Sequence, residues 1–338
     1  MGNRSTPSRS FNTLKHSNRD QRIKRNRQAR LSLLAMIFVA IAIALTLSIF
    51  LICSLVDHFS TVTPPNLDDT GSGSGEENNG EILYEQITKT KDDVHTGILL
   101  IVNEEYEYVF PTDQSYLIKI AENRTKVDGK NPYQLNTTYA KEMHREAFAY
   151  MDKMLLDYFR ISEGDGAVMV KYAYRSYQDQ EALNSTIGAG FSDHHTGCCI
   201  ALHQADTSNF PPIESTHWIY ENAYQYGFVM RYPVGKEDKT LVSDYEHCFR
   251  YVGIPHAAYI NANDLCLEEY VDLLKNQYAG DQHLKIQDKD GNDYEVYYVA
   301  AGADELTTIK VPKNYAYTIS GDNIGGFIVT VCLDTPNA

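Results

Sequence analysis

An α+β fold class follows from three features read along the chain. An uncharged apolar run stands near the N-terminus, helix and strand periodicities interleave from about residue 97 to residue 275, and alternation without helical signals closes the sequence. The chain therefore reads as one membrane span, a mixed domain of helices and strands, and a small all-β appendage.

The span is a composition argument. No charged residue occurs from Leu31 to Val56, and a helix needs about 20 apolar residues to cross a bilayer core. The run is longer than the roughly 7 to 15 residues of a cleaved signal's apolar region. Ile52 stands where a lipoprotein signal needs a small residue before Cys53. Residues 1 to 56 hold nine Lys or Arg against one acid, Asp20. That flank keeps the N-terminus in the cytoplasm and puts residue 57 onward outside. The expected parts are a basic cytoplasmic tail (1–30), a transmembrane signal anchor (31–56) in contact with the lipid bilayer, and a stalk rich in Gly, Ser and Glu (57–82). Net charge is -15 although the tail is basic, so the body is acidic and nucleic acid is excluded as a partner. Of six cysteines, five lie beyond the anchor, where disulfides are permitted.

Beyond the stalk, Gly97 to Asn103 is an apolar run suited to a buried strand. Thr137 to Tyr158 places Met143, Ala147, Met151, Met154 and Leu155 at helical spacing. Ala167 to Tyr174 reads as a strand, and Ser176 with Asp179 as the capping signal of a following helix. Cys198 to His203 is a further strand, and His217 to Tyr226 and Leu265 to Lys275 are helices. After residue 282, alternation marks Leu284 to Gln287, Tyr294 to Ala300, Thr307 to Val311 and Phe327 to Cys332. Asp290-Gly291 is a hairpin turn signal. The acids around it lack the spacing of a calcium loop.

Four segments carry candidate chemistry. In Tyr174-Arg175-Ser176-Tyr177, followed by Gln180, an arginine stands at a strand-to-helix junction; its fork suits a carboxylate or a surface ion pair. In Phe191-Ser192-Asp193-His194-His195-Thr196-Gly197, adjacent histidines offer a metal ligand or plain loop polarity. The third runs from Tyr226 through Arg231-Tyr232-Pro233. The fourth is Tyr245-Glu246-His247-Cys248-Phe249-Arg250-Tyr251-Val252-Gly253.

In this order the four segments resemble the VanY-like D-alanyl-D-alanine carboxypeptidases, over about residues 97 to 275. The resemblance implies an α+β fold, with a small antiparallel sheet, packed helices and a site along one sheet face. Composition and alternation bound that domain at 83–281 and the β appendage at 282–338. The resemblance further implies action on the D-Ala-D-Ala end of peptidoglycan stem peptides, zinc held by His, Asp and His, a glutamate base, and an arginine directed at substrate. Onto this sequence it carries His194 as a metal ligand and Arg175, Ser192 and Gln180 as substrate-binding residues.

Three positions depart from the family. Ala201 stands at the ligand aspartate, Cys248 at the second ligand histidine, and Tyr245 at the base, with Glu246 one residue away. One reading is a non-catalytic domain that recognises stem peptides or scaffolds an assembly at the cell membrane. Another is an active zinc carboxypeptidase using His194, Cys248 and either Cys199 or His203, which strand alternation puts on the face of Ala201. A disulfide between Cys199 and Cys248 is a further use of the same positions, and a purely structural domain is the blandest outcome.

Overall fold

The computed structural model describes residues 82–162, 168–204, 218–242 and 247–336. All belong to one compact unit, Asn79–Ala338. The anchor and stalk expectations fall outside the described residues, as does Glu246. No helix among the described residues is long and apolar enough to cross a membrane.

The elements are β1 (Tyr84–Thr90), β2 (Leu117–Lys119), β3 (Gln134–Leu135), β4 (Glu142–His144), α1 (Arg145–Ile161), β5 (Val168–Tyr172), α2 (Tyr177–Ala182) and β6 (Cys199–Gln204). Then come α3 (Trp218–Asn222), β7 (Phe228–Met230), β8 (Cys248–Tyr251), α4 (Ile254–Ala262) and α5 (Leu267–Gln277). The C-terminal strands are β9 (Leu284–Gln287), β10 (Asp293–Ala300), β11 (Leu306–Pro312), β12 (Tyr315–Gly321) and β13 (Gly326–Pro336). Short helical turns fill several connections.

The central sheet has the order β3-β5-β6-β8-β7. It is antiparallel except for the β3–β5 pair. Strand alternation divides its residues between two faces. Val168, Val170, Ile200, Leu202, Phe249 and Tyr251 pack with Ala147, Met151, Met154 and Leu155 of α1. Cys199 and Cys248 belong to a separate cluster with Tyr232. Adjacent Cys198 and Cys199 thus serve different clusters, the first among the α1 contacts.

The apolar run from Gly97 is buried, as expected from its composition, but joins no strand ladder. Its backbone is met by side chains and by a distant loop. Leu99 N donates to Ser320 Oγ at 2.9 Å, and Ile101 N to the Asp322 carbonyl at 3.0 Å. Arg250 Nη2 donates to the carbonyls of Ile98 and Leu100, and Arg231 Nη2 to that of Val102. A buried backbone needs partners but not a sheet, and two buried guanidinium groups supply them.

The helix expected from Thr137 begins at Arg145 instead. Glu142–His144 pairs with β2 in an antiparallel ladder, and the His144 side chain caps α1 by accepting from Glu146 N. Extended residues there stop the helix from continuing backwards. α2 follows its capping signal, with Asp179 N donating to Ser176 Oγ at 3.1 Å. The segment expected as one helix from His217 is α3 followed by a tighter turn over Ala223–Tyr226.

After α5 a four-stranded sheet forms in the order β12-β13-β10-β9. The alternation located three of its strands and β11, the partner of β1, but missed β12. Asp290-Gly291 makes the expected turn, with the Asp288 carboxylate accepting from Asn292 N, Asp290 N and Tyr294 OH. No packing boundary falls at residue 282. Leu99, Ile101, Val252 and Leu267 share one core with Ile286, Val296, Tyr298 and Ile328, and β1 pairs along its whole length with β11.

Candidate metal and carboxylate site

The site begins with a left-handed glycine. A short turn, Asp193–Thr196, ends at Gly197 with φ 71°. A Cβ there would stand 2.9 Å from Leu117 Cδ2 and 3.0 Å from His144 N. Only glycine lets β2 and β4 approach this closely.

That turn separates the two histidines by role. His195 is satisfied on both sides: Nδ1 donates to the Arg175 carbonyl at 2.6 Å and Nε2 accepts from Gly190 N at 3.0 Å. Burial lowers its pKa to about 4. It is a neutral packing residue. His194 faces the carbonyls of Ala173 and Cys199 through Nδ1, at 2.9 and 3.2 Å. Carbonyls only accept, so Nδ1 carries a proton, and Nε2 is the ring atom turned toward the neighbouring sulfurs. Nε2 lies 3.8 Å from Cys248 Sγ.

Ala201 pairs with Cys248 across β6 and β8, and Cys199 pairs with Arg250. Cys199 and Cys248 are therefore diagonal neighbours, with sulfurs 2.7 Å apart. Both are free thiols in this structure, farther apart than the about 2.05 Å of a disulfide bond. Instead one thiol donates to the other sulfur. Burial raises the Cys199 thiol well above its usual range. Burial also raises Cys248, but the hydrogen bond from Cys199 and the adjacent His194 outweigh it and bring the Cys248 thiol below its usual range.

His194, Cys199 and Cys248 form the one group among the described residues able to hold a metal, with ligand atoms within 4.8 Å of one another and all three side chains buried. One imidazole and two thiols suit zinc. Tetrahedral Zn–S bonds of about 2.3 Å put two sulfurs roughly 3.8 Å apart, so the sulfurs must part by about 1 Å. The backbone-held Nδ1–H is the outer support that ligating histidines use. The donors fit zinc with that one adjustment. His203, the other third-ligand candidate, is excluded from the group. It lies four residues along β6 from Cys199, roughly 13 Å of strand, and its ring instead meets His247 edge-on at 4.4 Å. Burial lowers its pKa to about 3.

Arg175 stands on the wall of a neighbouring cleft of about 640 Å³, with Tyr174, Tyr177, Gln114 and Glu142. Its guanidinium lies 4.8 Å over the Tyr172 ring, and that ring in turn contacts His194. Arg175 Nη1 donates to Gln180 Oε1, and Gln180 Nε2 donates to the Ile187 carbonyl at 2.7 Å. Gln180 therefore holds Arg175 in place and does not itself face the cleft. Arg175 Nη2 is buried without a partner among the described residues. Ser192 is buried and not part of the cleft wall.

Sequence reasoning missed the residues that fix this arrangement. Asp193 Oδ1 accepts from Arg250 and lies 3.2 Å from Arg231 Nε. Arg231 forms a two-pronged pair with Glu268 at 2.7 and 3.0 Å. Burial raises the Asp193 carboxyl, yet the two guanidinium groups prevail and hold it below the usual range. These charges tie the turn bearing His194 to β7, β8 and α5. Their signal in the sequence was the presence of Arg231 and Arg250 in motifs that need no catalytic arginine there.

A profile of the VanY family, described as D-alanyl-D-alanine carboxypeptidase, matches residues 159–254. A D-alanyl-D-alanine carboxypeptidase of Enterococcus faecium is 30% identical over 250 residues, covering 72% of this chain and 78% of its own. Among solved structures, the vancomycin resistance D,D-dipeptidase VanXYg, in complex with a D-Ala-D-Ala phosphinate analogue, is 26% identical. That match has a TM-score of 0.62 and covers 74% of this chain and 99% of the other. A VanY D,D-pentapeptidase variant in complex with Zn(II) is 25% identical over 52% of this chain and 98% of its own, with a TM-score of 0.37.

Proposed function

The chain belongs to the VanY D-alanyl-D-alanine carboxypeptidase family, and on that premise we propose that it is a membrane-anchored, extracytoplasmic domain that recognises the D-Ala-D-Ala end of peptidoglycan stem peptides without hydrolysing it. Arg175 carries this reading. Arg175 lines an open cleft, its Nη2 has no hydrogen-bond partner among the described residues, and its other half is fixed by Gln180 and Tyr172. A preorganised guanidinium of this kind suits the terminal carboxylate of a peptide.

Loss of hydrolysis rests on the neighbouring ligands. Ala201 offers no donor, Cys248 replaces an imidazole, and Tyr245 occupies the position of the family base. Zinc held by His194, Cys199 and Cys248 would polarise a bound carbonyl. Two thiolates would leave it less electrophilic than a His, Asp, His set, because they donate more negative charge. The anchor places this domain at the outer face of the membrane through residues 31–56. Binding of a D-Ala-D-Ala peptide, with assay of D-Ala release by the zinc-loaded chain, tests the reading.

A second reading is an active zinc carboxypeptidase. It is favoured by the number of donors, since three protein ligands with one open position is the count of catalytic zinc sites, and Cys₂His is among their sets. Glu246 would then serve as base. Turnover in the same assay selects it.

A further inference from the structure

The two sulfurs at the candidate metal site are closer to each other than zinc would hold them, and about 0.7 Å from a covalent bond length. They lie on adjacent strands, on the sheet side away from α1, walled by Tyr232 and by Val242. No other described thiol competes for either. Cys198 packs among the α1 contacts. Cys266 caps α5, where its sulfur accepts from the backbone. Cys332 lies near Thr335 at 3.3 Å.

We propose that Cys199 and Cys248 form a reversible thiol–disulfide couple, and that the disulfide and the metal-bound form of this site exclude each other. The inference rests on reading His194, Cys199 and Cys248 as a metal site. The oxidant is a small external disulfide, of the kind an oxidising extracytoplasmic compartment supplies. On local opening of the buried pair, Cys248 gives up its proton and attacks one sulfur of that disulfide, whose S–S bond breaks and releases one thiolate. Cys199 then gives up its proton and attacks the Cys248 sulfur of the mixed disulfide, and the second external thiolate leaves. Two protons and two electrons leave the pair, and the external disulfide becomes two thiols. A dithiol reductant reverses both steps.

In the disulfide neither sulfur is a thiolate, and thiolate is the form that ligates metal. His194 Nε2 then remains as the lone strong donor of the group. A His, Asp, His set cannot be switched off in this way; two cysteines on one face can. The carboxylate site uses other atoms, Arg175 with Gln180 and Tyr172, so it persists in both states.

The test uses the full chain in detergent, reduced with a phosphine, loaded with zinc, freed of excess metal and then exposed to oxidised glutathione. Zinc release is followed with a chelating dye, thiols are counted after denaturation, and disulfides are mapped in a non-reduced digest. The expected result is stoichiometric zinc before oxidation and none after, a loss of two thiols, and a cross-linked peptide pair containing Cys199 and Cys248. Reduction should restore zinc uptake. Cys198→Ser should leave every readout unchanged, and Cys199→Ser should abolish the paired thiol loss. The wild-type map stands even if a variant does not fold. Retention of zinc by the oxidised chain, a bond to a different cysteine, no thiol loss, or a reduced chain that takes up no zinc each overturns the proposal. Peptide binding is measured on both forms in parallel. Its absence would sink the recognition reading and leave the redox result standing.

Discussion

Replacing Arg175 by methionine isolates the carboxylate contact. Methionine keeps a long flexible side chain against Tyr172 and removes the charge. The structure divides the cost between stability and binding. Gln180 Oε1 loses its buried donor, which costs about 1–3 kcal/mol, but it does so with or without peptide, so that term falls on folding. Binding loses one charge-assisted hydrogen bond from Nη2, about 1.5–3 kcal/mol, or roughly 10- to 150-fold in Kd. Calorimetry with a peptide ending in D-Ala-D-Ala should show that drop. The decisive comparison is the same peptide with its terminal carboxylate amidated. The wild-type chain should bind the amide worse by a similar factor, and Arg175→Met should bind both forms alike. A variant that still prefers the free carboxylate would refute the assignment of Arg175, because another cation would then be reading the terminus.

Two further outcomes follow from buried groups away from the cleft. Arg250→Met leaves Asp193 buried with a single guanidinium and strips the carbonyls of Ile98 and Leu100 of their donor; chemical denaturation should show a loss of about 3–5 kcal/mol, and a loss under 1 kcal/mol would contradict the clamp. His256 is fully buried between Tyr270 OH and Thr330 Oγ1, and burial lowers its pKa to about 3. The unfolded chain takes up that proton near pH 6.5, so this contribution to stability is present above about pH 6.5 and fades as pH falls toward 3. Denaturation midpoints of wild type and His256→Gln across that window should converge at the acid end; parallel profiles would show that His256 is not the titrating group.

The sequence made the strand and helix signals of the central sheet legible because burial there is one-sided. α1 carries its apolar positions at helical spacing, and β6 and β8 alternate between the α1 face and the site. The run at Gly97 misled because a fully apolar segment reports burial and not hydrogen-bond partners. Its partners lie far along the chain, from 129 residues for Arg231 to 222 for Asn323. β12 was missed because its burial does not alternate cleanly. At the site, His194, Arg175 and the altered ligands were visible as positions in motifs. The choice of Cys199 over His203 was not, since alternation gives the face of a strand but not distance along it. Gln180 was assigned to substrate from its place in a motif, whereas its amide bonds hold Arg175. The Asp193–Arg231–Glu268 connection joins three separate segments, and spacing carries no trace of that pairing.

The most direct measurement of the central claim is D-Ala release from a D-Ala-D-Ala peptide by the reduced, zinc-loaded full chain, run beside a binding isotherm for the same peptide. Saturable binding that depends on Arg175, with no D-Ala released above a buffer control, is the predicted result. Catalytic turnover that requires zinc would contradict it and make Cys199 and Cys248 ligands of a working peptidase.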